Sequence, residues 1–158
     1  MNRGITMPAI ATILTLLGLV PMVVFALGAV GPMPETAERM LVSLIDYAAL
    51  VLAFAGGVHW GLALLPGAVR PSLRVGAGVL PLIVAWAALV LAQFVAPSVA
   101  LGVLILAYLA TILTEHRAAT RLMVPSRYVW LRWPFTLVSL VAMVMVLILH
   151  GLGQTIVF

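Results

Sequence analysis

His59 is the residue whose type and position most directly suggest chemistry. It stands in the run 56–61 (GGVHWG), inside an apolar stretch over 47–65 in which Tyr47 is the only other ionisable residue. An ionisable group within a membrane-spanning helix is costly, which makes it a candidate functional residue. Three roles are open to its imidazole: a proton relay or substrate contact, a contact with a metal, haem or quinone, and a structural hydrogen bond to a carbonyl of a neighbouring helix.

Other polar residues occur within apolar stretches at separate depths. Asp46 precedes His59 by about 20 Å along a helix axis, so the two side chains cannot pair directly. Tyr108, Thr111 and Glu115 have i, i+3, i+7 spacing and share one helix face. If that face meets His59, a His–Glu pair forms near the cytoplasmic boundary. The candidate functional polar residues are therefore His59, Asp46, Glu115 and Tyr108.

Both carboxylates also have simpler explanations. Asp46 fits the first turns of a helix, where the helix dipole favours an anion and the side chain reaches the outer boundary. Glu115, next to Arg117, fits a solvated charge at a helix end.

The composition identifies the kind of element that must position these residues. Of 158 residues, 65% are hydrophobic and 8% are charged, and the mean hydropathy is +1.29. Soluble domains carry about a quarter charged residues, so this composition predicts an integral membrane protein. The net charge of +4 comes from arginines between apolar stretches, which favours a role in membrane orientation over nucleic-acid binding. The absence of cysteine excludes disulfides and thiolate metal sites.

Apolar runs and turn residues predict an all-α, polytopic bundle of five transmembrane helices that forms one membrane domain over 1–158. The helices are expected at 8–30, 41–65, 75–95, 98–114 and 131–151. The fourth is the shortest and would need a thinned bilayer or snorkelling flanks. Pro21 and Pro81 stand in the middle of helices 1 and 3 and predict a kink in each.

The arginines predict the orientation of the bundle. All but Arg39 of the 8 basic residues fall on one side of the predicted membrane. Basic residues concentrate on the cytoplasmic side, so the N-terminus is expected inside and the C-terminus outside. In an organelle, the side that corresponds to the cytoplasm is the matrix.

Two motifs predict contacts of the bundle. Small residues at Ala53, Gly57 and Gly61 allow close backbone approach, which makes helix 2 the expected central helix. Gly56, Gly57, Trp60 and Gly61 are accordingly assigned to helix packing. The segment before helix 5 alternates arginines with aromatic rings, which is typical of an interfacial anchor; a partner or anionic-lipid site is the alternative. Its members are Arg127, Tyr128, Trp130, Arg132 and Trp133.

These segments also resemble a known family. The run 54–61 (FAGGVHWG) resembles a signature of the DUF3429 family of uncharacterised membrane proteins, which includes the eukaryotic transmembrane protein 69. The segments 17–21 (LGLVP) and 128–137 (YVWLRWPFTL) resemble two further parts of the family pattern, in the same order. The resemblance implies a five-span protein of a bacterial inner or mitochondrial membrane and brings no activity with it.

The sequence contains no motif of a standard enzyme. It has no nucleophile–base–orienter set, no phosphate-binding glycine loop and no metal-binding motif, so neither catalysis nor a cofactor or metal is expected. We expect a non-catalytic accessory or assembly subunit of a larger membrane complex, such as an energy-transducing one. Its partners would be the lipid bilayer and either other membrane subunits or further copies of itself, with no nucleic acid.

The alternative is a small proton-coupled carrier that uses the intramembrane Asp46 and His59. The two prolines and a weak repeat of 18–24 at 78–84 favour it. An assembly role predicts that substituting Arg132 or Trp133 releases partners while His59→Gln is mild. A carrier predicts the reverse, with transport lost on His59→Gln or Asp46→Asn.

Overall fold

The computed structural model describes residues 9–120 and 126–153, except for the side chains of residues 9, 11, 126 and 127. Within these ranges the secondary structure is entirely helical. The helices are α1 Ala9–Leu17, α2 Leu19–Ala29, α3 Pro34–Ala63, α4 Pro71–Phe94, α5 Pro97–Thr120 and α6 Ser126–Gly151.

Five of the described segments are long and apolar enough to cross a membrane. The first combines most of α1 with all of α2, and α3 to α6 supply one each. The predicted all-α, five-span membrane protein is thus confirmed, whereas its orientation and the proline kinks stay predictions. We call the end of the bundle that holds Ala63, Pro71, Thr120 and Ser126 the arginine-rich end.

Several helices are longer than the apolar runs alone predict. The second span begins at Pro34 rather than near residue 41, because a proline in the first turn and Glu35 beside the helix N-terminus both favour helix initiation in water. The fourth predicted span is α5, whose 24 residues extend about 36 Å. The fifth begins at Ser126, which places Pro134 inside the helix.

The first span is interrupted at Gly18, between α1 and α2. Pro21 has no N–H, so the carbonyl of Leu17 loses its helical donor. The neighbouring Gly18 carbonyl accepts a hydrogen bond from the Tyr47 hydroxyl at 2.6 Å. A side chain of α3 thus stabilises the chain where α1 and α2 meet.

The central helix of the bundle is α3, which packs against α2, α4 and α5. It approaches α4 closely at Gly56 and Gly78. A Cβ atom at Gly56 would overlap the Gly78 carbonyl oxygen, and the Trp60 ring lies against Gly78. By contrast, added Cβ atoms at Gly57 and Gly61 would meet nothing, because both glycines are exposed. The predicted packing of Gly57 and Gly61 within the bundle is therefore wrong.

Candidate functional site

Glu115 is the centre of a polar cluster near the arginine-rich end. The residue is 0% exposed. Its Oε2 accepts a hydrogen bond from Arg132 Nε at 3.2 Å, and its Oε1 accepts one from the Tyr128 hydroxyl at 3.2 Å. Tyr128 and Arg132 are four residues apart, so they project from the same face of α6. We call His59, Glu115, Tyr128 and Arg132 the Glu115 cluster.

His59 joins this cluster from α3. It is 9% exposed, and its Nε2 lies 3.8 Å from Glu115 Oε1. The sequence predicted a His–Glu pair if the helix face that carries Glu115 met His59, and the structure brings these two side chains together. The separation is too long for a hydrogen bond, and the pair is ionic only when the imidazole is protonated. The cluster brings α3, α5 and α6 together at one point.

The burial of Glu115 contradicts the simpler prediction of a solvated charge at a helix end. The physical reason is the early start of α6, which places Arg132 opposite the carboxylate in helical geometry. One arginine balances one carboxylate, and each carboxylate oxygen has a donor. Charge counting along the sequence was an available signal, since Glu115 is the only acidic residue among the arginines of that end.

Tyr108 lies on α5 but outside the Glu115 cluster. Its hydroxyl donates to the Ala48 carbonyl at 2.9 Å, and the ring is buried against α3. Thr111, which shares that face, donates to the Ala107 carbonyl of its own helix at 2.8 Å. The Tyr108 bond fastens α5 to α3, and both hydroxyls donate to carbonyls rather than to Glu115.

Asp46 lies apart from the cluster, on the exposed side of α3. Met40 of α3 contacts α2 at Gly28, close to the end of α2 at Ala29. Asp46 is about 9 Å further along the α3 axis, which places it inside the apolar layer. Among the described residues it forms no hydrogen bond and no ion pair. The structure therefore separates Asp46 from the other candidate residues.

The aromatic–arginine segment divides into two faces of α6. Trp130 is 78% exposed and Trp133 is partly exposed, with its ring edge against His116 at 6.2 Å between centroids. Tyr128 and Arg132 turn inward to Glu115, so their predicted position at the lipid surface is wrong. The side chain of Arg127 lies outside the described residues.

Two grooves flank the Glu115 cluster. A groove of about 570 Å³ between α1, α3 and α6 is lined by apolar side chains together with Tyr47, Tyr128 and Arg132. A second, of about 450 Å³, separates α4 from α5 and includes His59 and Arg74. We call it the α4–α5 groove. Sequence reasoning passed over Arg74, which looks like an ordinary loop arginine but is buried.

The described part of the chain contains no group of three His, Cys, Asp or Glu side chains that could hold a metal ion. The side chains of the Glu115 cluster themselves offer hydrogen bonding, charge pairing and proton transfer.

Five apolar spans joined by buried polar contacts define a polytopic helical membrane protein. The sequence pattern of the family described as "Protein of unknown function (DUF3429)" matches residues 7–148, so the chain belongs to the DUF3429 family and the resemblance is confirmed. Comparisons with curated proteins and with solved structures find no match. The likeness to transmembrane protein 69 therefore stays a prediction.

Proposed function

We propose that this protein is a non-catalytic accessory or assembly subunit that binds a partner helix along the exposed face of α3. This face, the α3 outer face, consists of Asp46, Leu50, Phe54, Gly57 and Gly61, all exposed. The observation that carries the proposal is the placement of Asp46. A carboxylate facing lipid costs about 3 kcal/mol, and a hydrogen-bond donor on a neighbouring helix would offset that cost.

The two glycines support the same surface. Gly57 and Gly61 are one turn apart and expose their backbone, with open space where a side chain would lie. Small residues at this spacing let a second helix approach closely, so van der Waals contacts replace those with lipid. The described part of the chain uses neither glycine for its own packing.

The charge on Asp46 favours a different protein, rather than a second copy of this chain, as the partner at the α3 outer face. If two copies in the same membrane orientation paired through α3, each residue would lie at the same depth as its counterpart. The two Asp46 carboxylates would then face each other. Like charges in a low-dielectric layer repel, which opposes that pairing. The preferred occupant is a transmembrane helix of another subunit that offers a cationic or hydrogen-bonding side chain at the depth of Asp46.

The Glu115 cluster supports a structural role in such a subunit. Its charges are balanced, its carboxylate is fully buried and both oxygens have donors. A satisfied network of this kind stabilises one arrangement of α3, α5 and α6. The α3 outer face is then presented on a fixed bundle. We also propose that the arginine-rich end faces the cytoplasm or the mitochondrial matrix, because basic residues concentrate on that side of a membrane protein. The proposed membrane is the bacterial inner or the mitochondrial inner membrane.

Purification in mild detergent from the native cell, with co-purifying chains quantified by mass spectrometry, tests the proposal. We expect a stoichiometric partner that is lost from the Gly57→Leu and Asp46→Asn variants. Gly76→Leu is the matched control, because Gly76 is also an exposed helical glycine with open space around it, but on α4. Equal retention in all variants, or a protein that purifies alone, would contradict the proposal.

A proton-coupled carrier is the second candidate, favoured by the position of His59. Its imidazole lines the α4–α5 groove and also lies beside Glu115, so a proton entering the groove could reach the buried carboxylate. Asp46 is too distant to take part in the same step. The test is proton-driven flux in proteoliposomes. Loss of flux in His59→Gln, with the melting temperature unchanged, would support the carrier and argue against the accessory role.

A further inference from the structure

Arg74 is a buried arginine whose charge has no partner among the residues that the structure describes. The residue is 9% exposed and lines the α4–α5 groove. Its Nε donates to the Val69 carbonyl at 3.0 Å, which holds the loop before α4 in place. That bond occupies one of five N–H donors and neutralises none of the positive charge.

The chain has no carboxylate to spare for this arginine. It contains 4 acidic residues, of which Glu115 is bound to Arg132. Glu35, Glu38 and Asp46 lie in the first half of α3, toward the opposite end of the bundle. Arg117 and His59 line the same groove and add to its positive character. A buried, uncompensated charge is unfavourable, so the groove favours an anion supplied from outside.

The rest of the groove is mostly apolar, with Thr111 and Thr114 as its other polar side chains. From Arg74 it follows one face of α4 through Ala77 and Leu80 to Val84, over about 15 Å. Ala107 and Ala110 of α5 form the facing wall. A groove that is cationic at one end and apolar along its length fits an amphiphile with an anionic head.

We propose that the α4–α5 groove binds an anionic phospholipid. Its phosphate lies against Arg74 and Arg117, and one acyl chain follows α4 toward Val84. Guanidinium groups suit this role because their fork of donors matches phosphate oxygens. The site is separate from the α3 outer face and does not depend on the partner proposed there.

Native mass spectrometry of the delipidated protein, titrated with three probes, tests this assignment. The probes are phosphatidylglycerol, phosphatidylcholine and the soluble glycerol phosphate. We expect phosphatidylglycerol to bind at least about tenfold more tightly than either other probe. The choline cation of phosphatidylcholine offsets its phosphate charge, and glycerol phosphate has no acyl chain to bury in the groove. Equal binding of the two lipids would overturn the proposal. If glycerol phosphate bound as tightly as phosphatidylglycerol, the arginines would be assigned to a soluble anion, and the lipid proposal would be overturned.

Variants locate the site. Arg117→Gln removes an exposed charge at the groove and should weaken phosphatidylglycerol binding about tenfold with the melting temperature unchanged. Arg70→Gln is the matched control, because Arg70 is exposed at the same end but does not line the groove. Ala110→Leu places a larger side chain in the apolar part of the groove, so it should weaken the binding of phosphatidylglycerol but not that of glycerol phosphate. Equal losses in Arg117→Gln and Arg70→Gln would show general attraction to the basic end and overturn the proposal.

Discussion

Arg132 and Glu115 form an ion pair across the contact between α5 and α6, with Nε 3.2 Å from Oε2 and the carboxylate fully buried. The arginine side chain is 12% exposed, so both charges are largely removed from solvent. Each compensates the other, and their geometry ties the end of α5 to the beginning of α6.

Removing either member of the pair should destabilise the bundle far more than removing both. Glu115→Gln or Arg132→Met leaves one buried charge uncompensated, at a cost of about 3–5 kcal/mol. The double variant has no unpaired charge and should recover most of that loss. Thermal unfolding in detergent measures the effect, with the exposed Glu38→Gln as control. Additive losses in the double variant would show that the two charges are not coupled.

Gly56 and Gly57 are neighbours in sequence but should respond oppositely to a single methyl group. Gly56→Ala places a Cβ atom on the Gly78 carbonyl oxygen and forces α3 and α4 apart, which should cost about 1–3 kcal/mol. Gly57→Ala points into open space and should be neutral or stabilising by up to about 1 kcal/mol, through helix propensity. The melting temperatures of the isolated protein compare the two. A larger loss in Gly57→Ala would contradict the packing described.

Tyr47→Phe should weaken the junction of α1 and α2. The substitution keeps the ring, which has an edge contact with Phe25, and removes the hydrogen bond to the Gly18 carbonyl. The expected cost is about 0.5–1.5 kcal/mol, and the first span should become more accessible to hydrogen exchange. Unchanged exchange at residues 14–22 would mean that the phenol does not stabilise the interruption.

Thr136→Val should be neutral or stabilising. Thr136 is buried, and its Oγ1 has no hydrogen-bond partner among the residues the structure describes. Valine has nearly the same shape and no unsatisfied hydroxyl, so a gain of up to about 1 kcal/mol is expected in thermal unfolding. Tyr108→Phe is the contrasting control, because it removes a satisfied buried hydroxyl and should cost about 1 kcal/mol. A loss on Thr136→Val would reveal a bound water or ligand.

Cysteine labelling tests the orientation, because the chain has no native cysteine. Met33→Cys and Val69→Cys introduce exposed thiols into the loops at opposite ends of α3. With the arginine-rich end in the cytoplasm, a membrane-impermeant maleimide should label Met33→Cys in intact cells and Val69→Cys only after permeabilisation. The reverse pattern would invert the orientation.

The sequence alone predicted five spans because a run of about 20 apolar residues has few structures open to it besides a membrane helix. It placed the start of α3 too late because Glu35 and Arg39 are polar. A hydropathy pattern marks only the apolar part of a helix, whereas the helix itself continues beyond the membrane into water. Periodicity also correctly placed Glu115 on a helix face able to meet His59.

The remaining errors concern contacts between helices. Gly56 and Gly57 differ only by a rotation of about 100° around α3, and small size alone does not decide which glycine faces α4. Likewise, whether Arg132 faces lipid or Glu115 depends on where α6 begins. Both choices depend on packing, to which local sequence patterns are insensitive.

Site-specific photocrosslinking in native membranes tests the accessory-subunit proposal most directly. A photoreactive residue in place of Gly61 probes the α3 outer face, and one in place of Gly76 probes the exposed side of α4 as the control. We predict one discrete adduct from position 61, with the mass of this chain plus a different membrane protein, and none from position 76. Lipid adducts alone at both positions, or an adduct equal to two copies of this chain, would contradict the proposed partner.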